Sequence, residues 1–509
     1  MKCGFAIGLV ICGFAAFAGP VPGQTSGEVH LWLTNADKSA VFEEQKPFLK
    51  FEKATSQKPA AEQESAIEID DQKKFQTIDG FGFALTGGSA QHLARMDTAN
   101  RAALLHELFG ADGKNIGISY LRISIGSSDL NDHVYSYDDL AAGETDPELK
   151  KFSLAGDRAE LIPVLKEILA INPKIEILGS PWSAPPWMKT NGSYVAGELK
   201  PESYSAYARY FVKYIEVMRG HGIHVSAVTP QNEPHNARNE PSMVMTATDQ
   251  AKFIKGYLGP ELRKGAPETE ILCWDHNCDE PEYPLTVLAD AEARAYIGGV
   301  AWHLYNGSPE AMSVVRAHYP EKKVYFTEQW VSAHDDFMGA LRWHTKNVVI
   351  GTLRNWSRTA LEWNLASDPR YALHTRRGAV GALGGVTIGA TMKRRRGAVG
   401  GFTVGATIKR NPGYYLMAHS ARFIRPGSVR VHSSTVDQLP NVTCLTPDSR
   451  MVMLVLNDAD GARRFRVQHR GANATLELGT GDVATLRWNV ATAGPRARKL
   501  EPAQTHKNL

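Results

Sequence analysis

From about residue 75 the chain alternates two kinds of apolar pattern. Short β-type runs recur at 81–85, 119–125, 175–179, 225–229, 270–274, 300–303, 324–327 and 360–363. Between them apolar residues fall at helical spacing. Leu161, Leu165, Ile168 and Leu169 form one stripe, and Tyr207, Phe211, Ile215 and Met218 form another. Pro201-Glu202 opens the second of these helices and Gly220 closes it, as capping preferences require. Strands that alternate with helices pair in parallel, and eight such units over this span predict a (β/α)8 TIM barrel. An open doubly wound sheet fits less well, because no glycine-rich dinucleotide turn follows any of the strands.

The flanks carry a different pattern. Residues 29–33 and 66–70 alternate like strands, and the Lys/Glu/Gln/Ala-rich stretch 35–65 between them reads as mobile or loosely helical. After Gly427, short β runs at 429–432, 441–445, 451–457, 464–468, 475–478 and 484–488 are separated by turn residues, the pattern of an all-β sandwich. The N-terminal strands are assigned to the same sandwich, so that this domain is built from both chain ends. The predicted organisation is a signal peptide over 1–18, sandwich strands within 28–74, the catalytic barrel over 75–426, the rest of the sandwich over 427–492 and a disordered tail over 493–509. One internal repeat stands out. Residues 376–394 read RRGAVGALGGVTIGATMKR and residues 395–410 read RRGAVGGFTVGATIKR, which predicts a duplicated β-hairpin, peripheral to the barrel, after its eighth strand.

Composition narrows the function classes. The 509 residues are 43% hydrophobic and 22% charged, with a net charge of +3, so nothing calls for nucleic acid or an anionic membrane as partner. The extreme N-terminus reads as a secretion signal: Lys2, an apolar stretch from Phe5 to Phe17, and the small-x-small site Ala16-Phe17-Ala18. This predicts a secreted or periplasmic protein with no stable membrane anchor. Cys3 and Cys12 leave with the signal. The remaining Cys273, Cys278 and Cys444 are an odd number, which excludes a complete disulfide framework. Cys273 and Cys278 are left either as a pair or as two thiols. No metal-ligand spacing occurs, and no metal or cofactor is expected.

The predicted strand ends carry the chemistry. Thr229-Pro230-Gln231-Asn232-Glu233-Pro234 and Val324-Tyr325-Phe326-Thr327-Glu328-Gln329-Trp330 each begin as an apolar run and end in a Glu beside amide, aromatic or Pro residues. A carboxylate at the tip of a buried strand is costly unless it has a role. Two of them, on strands four and seven, are what glycoside hydrolysis requires: one proton donor and one nucleophile. A general acid needs a pKa above the ordinary ~4.3, which burial of Glu233 beside a second carboxylate would supply. The nucleophile must stay ionised, so hydrogen-bond donors are expected around Glu328. Trp182 and Trp363 sit at strand ends as candidate stacking walls, and Trp187 reads as packing. Arg122 and Asp129 are either a mutual ion pair or a clamp on sugar hydroxyls. His235, His276 and His303 read as orienting residues.

Taken together, Ile78-Asp79-Gly80-Phe81-Gly82, Leu121-Arg122-Ile123, Ser180-Pro181-Trp182-Ser183-Ala184-Pro185, Thr190-Asn191-Gly192, Gln231-Asn232-Glu233-Pro234, Thr327-Glu328 and Trp363-Asn364-Leu365 resemble glycoside hydrolase family 30, the glucosylceramidase (acid β-glucosidase) family, in a bacterial-type form. The resemblance implies a retaining mechanism with Glu233 as acid/base and Glu328 as nucleophile, their carboxyl groups roughly 5–5.5 Å apart. It also implies glucose-binding roles for Arg122, Asp129, Trp182, Asn232, Tyr305 and Trp363. The chain departs from the family at Gly87-Gly88 and at the repeat, both expected near the cleft mouth. The leading expectation is a β-glucosidase acting on glucosylceramide-type glycolipids from one chain end. The alternative is an endo-β-1,6-glucanase or xylanase of the same family, acting on a β-glucan or related chain. A catalytically inactive glycan-binding protein is the reading from a different class. Neither the aglycone nor the oligomeric state is fixed by the residues.

Overall fold

The structure, a computed structural model, describes residues 27–53, 65–395 and 398–490. The signal peptide and the C-terminal tail lie outside these residues. Eight parallel strands close into a barrel, numbered here in chain order: β1 Gly80–Ala84, β2 Tyr120–Ser124, β3 Glu176–Ser180, β4 Ala227–Val228, β5 Glu270–Cys278, β6 Ile297–Gly307, β7 Lys323–Glu328 and β8 Ser357–Asn364. All eight predicted strands are present. Gly82 on β1 shows why the barrel closes where it does: a Cβ there would stand 1.9 Å from the Tyr120 carbonyl oxygen, so only glycine lets β1 and β2 approach.

The barrel interior is layered by the two-residue period of its strands. Tyr120, Leu178, Ala227, Leu272, Ala301, Tyr325 and Leu361 form one closed apolar layer. Two residues further toward the carboxyl ends, the inward positions become Arg122, Ser180, Thr229, His303, Thr327 and Trp363. The apolar floor therefore carries a polar layer, which puts the chemistry at the carboxyl end of the barrel.

The second domain runs as a continuous strand order in which Glu28–Thr34, from the N-terminal side, pairs antiparallel with Val483–Asn489. The long strand Ser65–Thr77 pairs with Val429–Ser433 on one side and with Arg463–His469 on the other. Val29, Ile67, Met453, Phe465, Leu486 and Trp488 fill the space between the layers. The stretch expected to be loosely helical contains strands instead. Val41–Glu44 pairs with Glu28–Thr34, and Leu49–Lys50 and Glu52–Lys53 add to the same sheet system; residues 54–64 lie outside the described residues. No helix among the described residues is long and apolar enough to cross a membrane. Cys273, Cys278 and Cys444 are separate buried thiols.

The repeat forms one hairpin rather than two. Val386–Arg395 (β9) comes from the first copy and Ala398–Arg410 (β10) lies in the second, and they pair with each other from Val386↔Arg410 to Arg395↔Ala398. The duplication thus supplies the two strands of a single ribbon. Its base is fastened: Arg410 grips Glu107 at 2.6 Å with both nitrogens, and β9 pairs with Ala366–Ser367. Removing one whole copy would take away one strand of the pair, whereas trimming the tip would not. Deleting residues 391–403 is accordingly expected to leave the thermal midpoint within about 2–4 °C of the parent, while Arg410→Ala lowers it further; differential scanning calorimetry of the two variants tests the order.

Candidate active site

Arg122 is fully buried, and three acidic or amide oxygens surround its guanidinium. Its Nη1 donates to Glu328 Oε2 at 2.5 Å. Its Nη2 donates to Asn232 Oδ1 at 2.5 Å and to Asp275 Oδ2 at 2.8 Å. Asp275 in turn accepts from Ser180 (2.6 Å), Thr229 (2.8 Å) and Thr327 (2.7 Å), and its Oδ1 lies 3.2 Å from His303 Nε2. The opposite ring nitrogen, His303 Nδ1, stands 3.3 Å from Glu233 Oε1 and 3.8 Å from Glu328 Oε1. A single chain of polar contacts thus runs from one glutamate to the other through the barrel interior.

Two turns of backbone make this possible. Glu233 has φ +44°, and Trp274 and Asp275 have φ +75° and +67°. These are left-handed conformations that side-chain-bearing residues adopt only where their surroundings hold them. The register of β5 against β6 slips between Trp274 and His276. That slip turns Asp275, not Trp274, into the polar layer. Glu233 N–H donates to the Asp275 carbonyl at 3.0 Å, tying the two irregular residues together.

Glu328 also accepts from the Tyr305 hydroxyl at 2.8 Å, and Glu233 Oε2 accepts from Asn236 at 2.7 Å. Both glutamates touch the same His303 nitrogen. Their Oε1 atoms therefore cannot be farther apart than those two contacts laid end to end. That limit lies at the low end of the ~6.5–9.5 Å separation of inverting enzymes and admits the shorter retaining spacing.

The electrostatics differ from the expectation. Burial raises Glu233, but hydrogen bonding and charge from His303, together with His276, outweigh it and hold the carboxyl down at about 2. His303 is pushed up to about 9: burial opposes its charge, and Glu328, Asp275 and Glu233 overcome that. Glu328 has its expected donors, yet burial still moves it upward against His303 and Arg122. The resting site thus keeps its proton on the imidazole between the glutamates, not on Glu233. Asp275, beside the guanidinium, is held far below the usual carboxylate range. Asp129 is raised to about 7 by burial and by the charges of Glu328 and Glu233. Glu233, His276 and His303 bring ligand atoms within 4.8 Å of one another. In that group His303 already faces Glu233 with Nδ1 and Asp275 with Nε2.

Above this layer opens a cleft of about 620 Å³. Asp129, Trp182, Tyr305 and Trp363 of the sequence-predicted residues line it, together with both glutamates. Trp182 and Trp363 stack on each other with centroids 5.2 Å apart, and both lie within 6 Å of the Arg122 guanidinium. Asp129 pairs with the Ala379 N–H at 3.1 Å, not with Arg122. Arg122 is buried below the cleft, where it holds Glu328 and does not line the cleft itself. Asn232 turns its oxygen toward Arg122. Trp187 donates to Asp138 at 2.9 Å as a packing residue. Gly87 and Gly88 begin a buried helix and do not line the cleft, whereas Arg377 and Gly378, from the start of the repeat, do. Asp275 stands among the polar strand ends in the sequence, but nothing there marks it as the centre of the network; the slip in β5 brings it in.

Residues 78–379 match the glycosyl hydrolase family 30 TIM-barrel domain and residues 427–486 match the family 30 β-sandwich domain. An endo-1,6-β-D-glucanase of Neurospora crassa is 34% identical over 441 residues, covering 82% of this chain and 86% of that protein. The lysosomal acid glucosylceramidase of Mus musculus is 28% identical over 422 residues, covering 77% of each. Among solved structures, the endo-β1,6-glucanase BT3312 superposes with a TM-score of 0.79 at 30% identity, covering 92% of this chain and all of that one.

Two outcomes follow from the buried network. Asp275→Asn leaves Arg122 with one charge partner fewer and should lower stability by about 3–5 kcal/mol in urea unfolding. The pH dependence has a definite sign. His303, raised from 6.5 to about 9, stabilises the fold fully below pH 6.5 and loses that contribution as pH rises through about 9. Glu233, lowered from 4.5 to about 2, contributes above pH 4.5 and loses it as pH falls through about 2. In unfolding titrations the alkaline decline should be smaller in His303→Gln than in the parent; an identical decline in both would remove His303 from this role.

Proposed function

The chain belongs to glycosyl hydrolase family 30, and on that premise we propose that it is an exported, retaining endo-β-1,6-glucanase. Its two glutamates carry the reaction. Glu328, oriented by Arg122 and Tyr305, attacks the anomeric carbon. Glu233 gives a proton to the departing glycosidic oxygen, and the bond to the leaving sugar breaks. The product of this step is an ester between the glucosyl carbon and Glu328. Glu233, now a carboxylate, takes a proton from water, which displaces Glu328 from the opposite face and restores the β configuration. His303 is the natural source of the first proton: it sits 3.3 Å from Glu233 and, at neutral pH, is protonated in the resting site. Asp129, near the midpoint of its titration at neutral pH, can both donate to and accept from sugar hydroxyls, and Trp182 and Trp363 give one sugar ring a wall.

The observation that carries the choice of substrate is the cleft lining. Past the glutamates it continues over Asn236, Arg238, Asn239, Asn306 and Arg377, and it contains no aliphatic side chain larger than alanine. The alkyl chains of a ceramide would find only aromatic rings and alanines as apolar surface there, whereas a second sugar would find both stacking faces and hydrogen-bond partners. This favours a glucan over a glycolipid, in line with the names of the fungal relative and of the solved glucanase. A secretion signal suits an enzyme whose substrate is an extracellular polymer.

Two experiments test the reading. Purified protein on a β-1,6-glucan should release short oligosaccharides early, seen by chromatography. Release of glucose alone, or turnover of glucosylceramide with none of the glucan, would overturn it. Glu328→Gly should lose on the order of 10³-fold or more in kcat. Azide should restore part of that rate on an activated aryl β-glucoside and give the α-glucosyl azide. Full activity of the variant without azide would take the nucleophile role away from Glu328.

A further inference from the structure

Beyond the glutamate of β7 the chain makes a second cavity, of about 500 Å³, which the reaction does not use. It lies between the segment that follows β7 and the helix Phe337–His344. Trp330 lines both this cavity and the main cleft, so the two are separated by one indole. Trp343, on its far side, is 41% exposed and is among the few large apolar residues the protein presents to solvent. Gln329 lines it too. That side chain is only 7% exposed, and its Oε1 is buried with no hydrogen-bond partner.

These features fit together physically. A buried amide oxygen without a donor is costly, and a ligand hydroxyl would satisfy it. An exposed indole offers its face to the C–H side of a pyranose. His334 and Asp335 add hydrogen-bonding groups at the rim, and Asp336 already spends one oxygen on the Gly339 N–H at 2.8 Å. No Lys or Arg lines the cavity, which disfavours an anionic ligand, and no aliphatic residue larger than alanine lines it, which disfavours a lipid. Two indoles beside several hydrogen-bonding groups suit a hydroxyl-rich ring.

We propose that this cavity is a distal subsite that binds a further glucosyl unit of the glucan chain, stacked on Trp343 and accepted by Gln329. The inference rests on the reading of the protein as a glucanase. It adds that affinity grows with chain length because a sugar beyond Trp330 is held. A small glucoside occupies the main cleft alone and gains nothing from the second cavity.

The test compares the parent with Trp343→Ala and Trp343→Phe on an aryl β-glucoside, on β-1,6-linked gluco-oligosaccharides of increasing length and on long β-1,6-glucan. Circular dichroism checks that the variants are folded, which the exposure of Trp343 leads one to expect. In the parent, kcat/KM should rise with chain length. Trp343→Ala should leave the aryl glucoside unchanged, raise KM for the long glucan about tenfold and flatten the dependence on length. Trp343→Phe, which keeps a stacking face, should recover most of the loss. A parent that cleaves the glucan and a Trp343→Ala variant with the same dependence on length would overturn the subsite and leave the glucanase reading standing. A parent inert on every β-1,6-linked substrate would instead overturn the glucanase reading, visible before any variant is made, and the subsite with it.

Discussion

The guanidinium of Arg122, buried without access to water at the centre of the barrel, is the constraint on which the rest of the site depends. A charge in that position is tolerated only if its field is balanced and most of its hydrogens are met. Glu328, Asn232 and Asp275 balance the charge and take its two terminal nitrogens, while its Nε–H is left without a partner. Because Asp275 must then be satisfied as well, Ser180, Thr229, Thr327 and His303 are drawn in. Six strands of the barrel contribute to one polar layer above an apolar floor, five at the inward position two residues beyond it and β5 through its register slip. Glu328 is held from one end of that layer and Glu233 from the other. Their spacing is therefore a property of the barrel and not of the loops above it.

The same network decides where the site keeps its proton. Two buried glutamates share an imidazole, and the imidazole wins because it also faces Asp275. A substrate that displaces water and brings a glycosidic oxygen to Glu233 alters that balance, since a developing alkoxide is a far better proton acceptor than a resting carboxylate. In the proposed mechanism, a proton stored on His303 lets Glu233 stay ionised at rest and still protonate the leaving oxygen. The left-handed backbone at Glu233 and Asp275 is the conformational cost of this arrangement. It persists because each residue is fixed by partners on several strands.

Much of this was legible in the residues. The eight strands appear in the period-two runs, because strands buried on both faces read as continuous apolar segments. The glutamates stand out because charges at such strand tips are rare. The sandwich from both chain ends was legible in the alternation at 29–33 and 66–70. What alternation could not carry was anything that breaks it. A slipped register in β5 hides Asp275, the centre of the network. The ribbon of the repeat joins one strand from each copy, a pairing that two similar strings do not reveal. The protonation order of Glu233 and Glu328 depends on a histidine far along the chain whose side chain arrives between them only in three dimensions. The polar lining of the cleft was hidden for a related reason: Arg238, Asn239, Asn306 and Arg377 come from three separate parts of the chain.

The proposed mechanism has Glu328 attack directly and form a covalent intermediate, within the limit that the shared His303 sets on the distance between the two glutamates. The configuration of the first-formed product tests this most directly. Proton NMR during the opening minutes of hydrolysis resolves the α and β anomers before they equilibrate. The β anomer should form first and decay toward the equilibrium mixture. Initial accumulation of the α anomer would mean that water attacks directly, and it would contradict the mechanism.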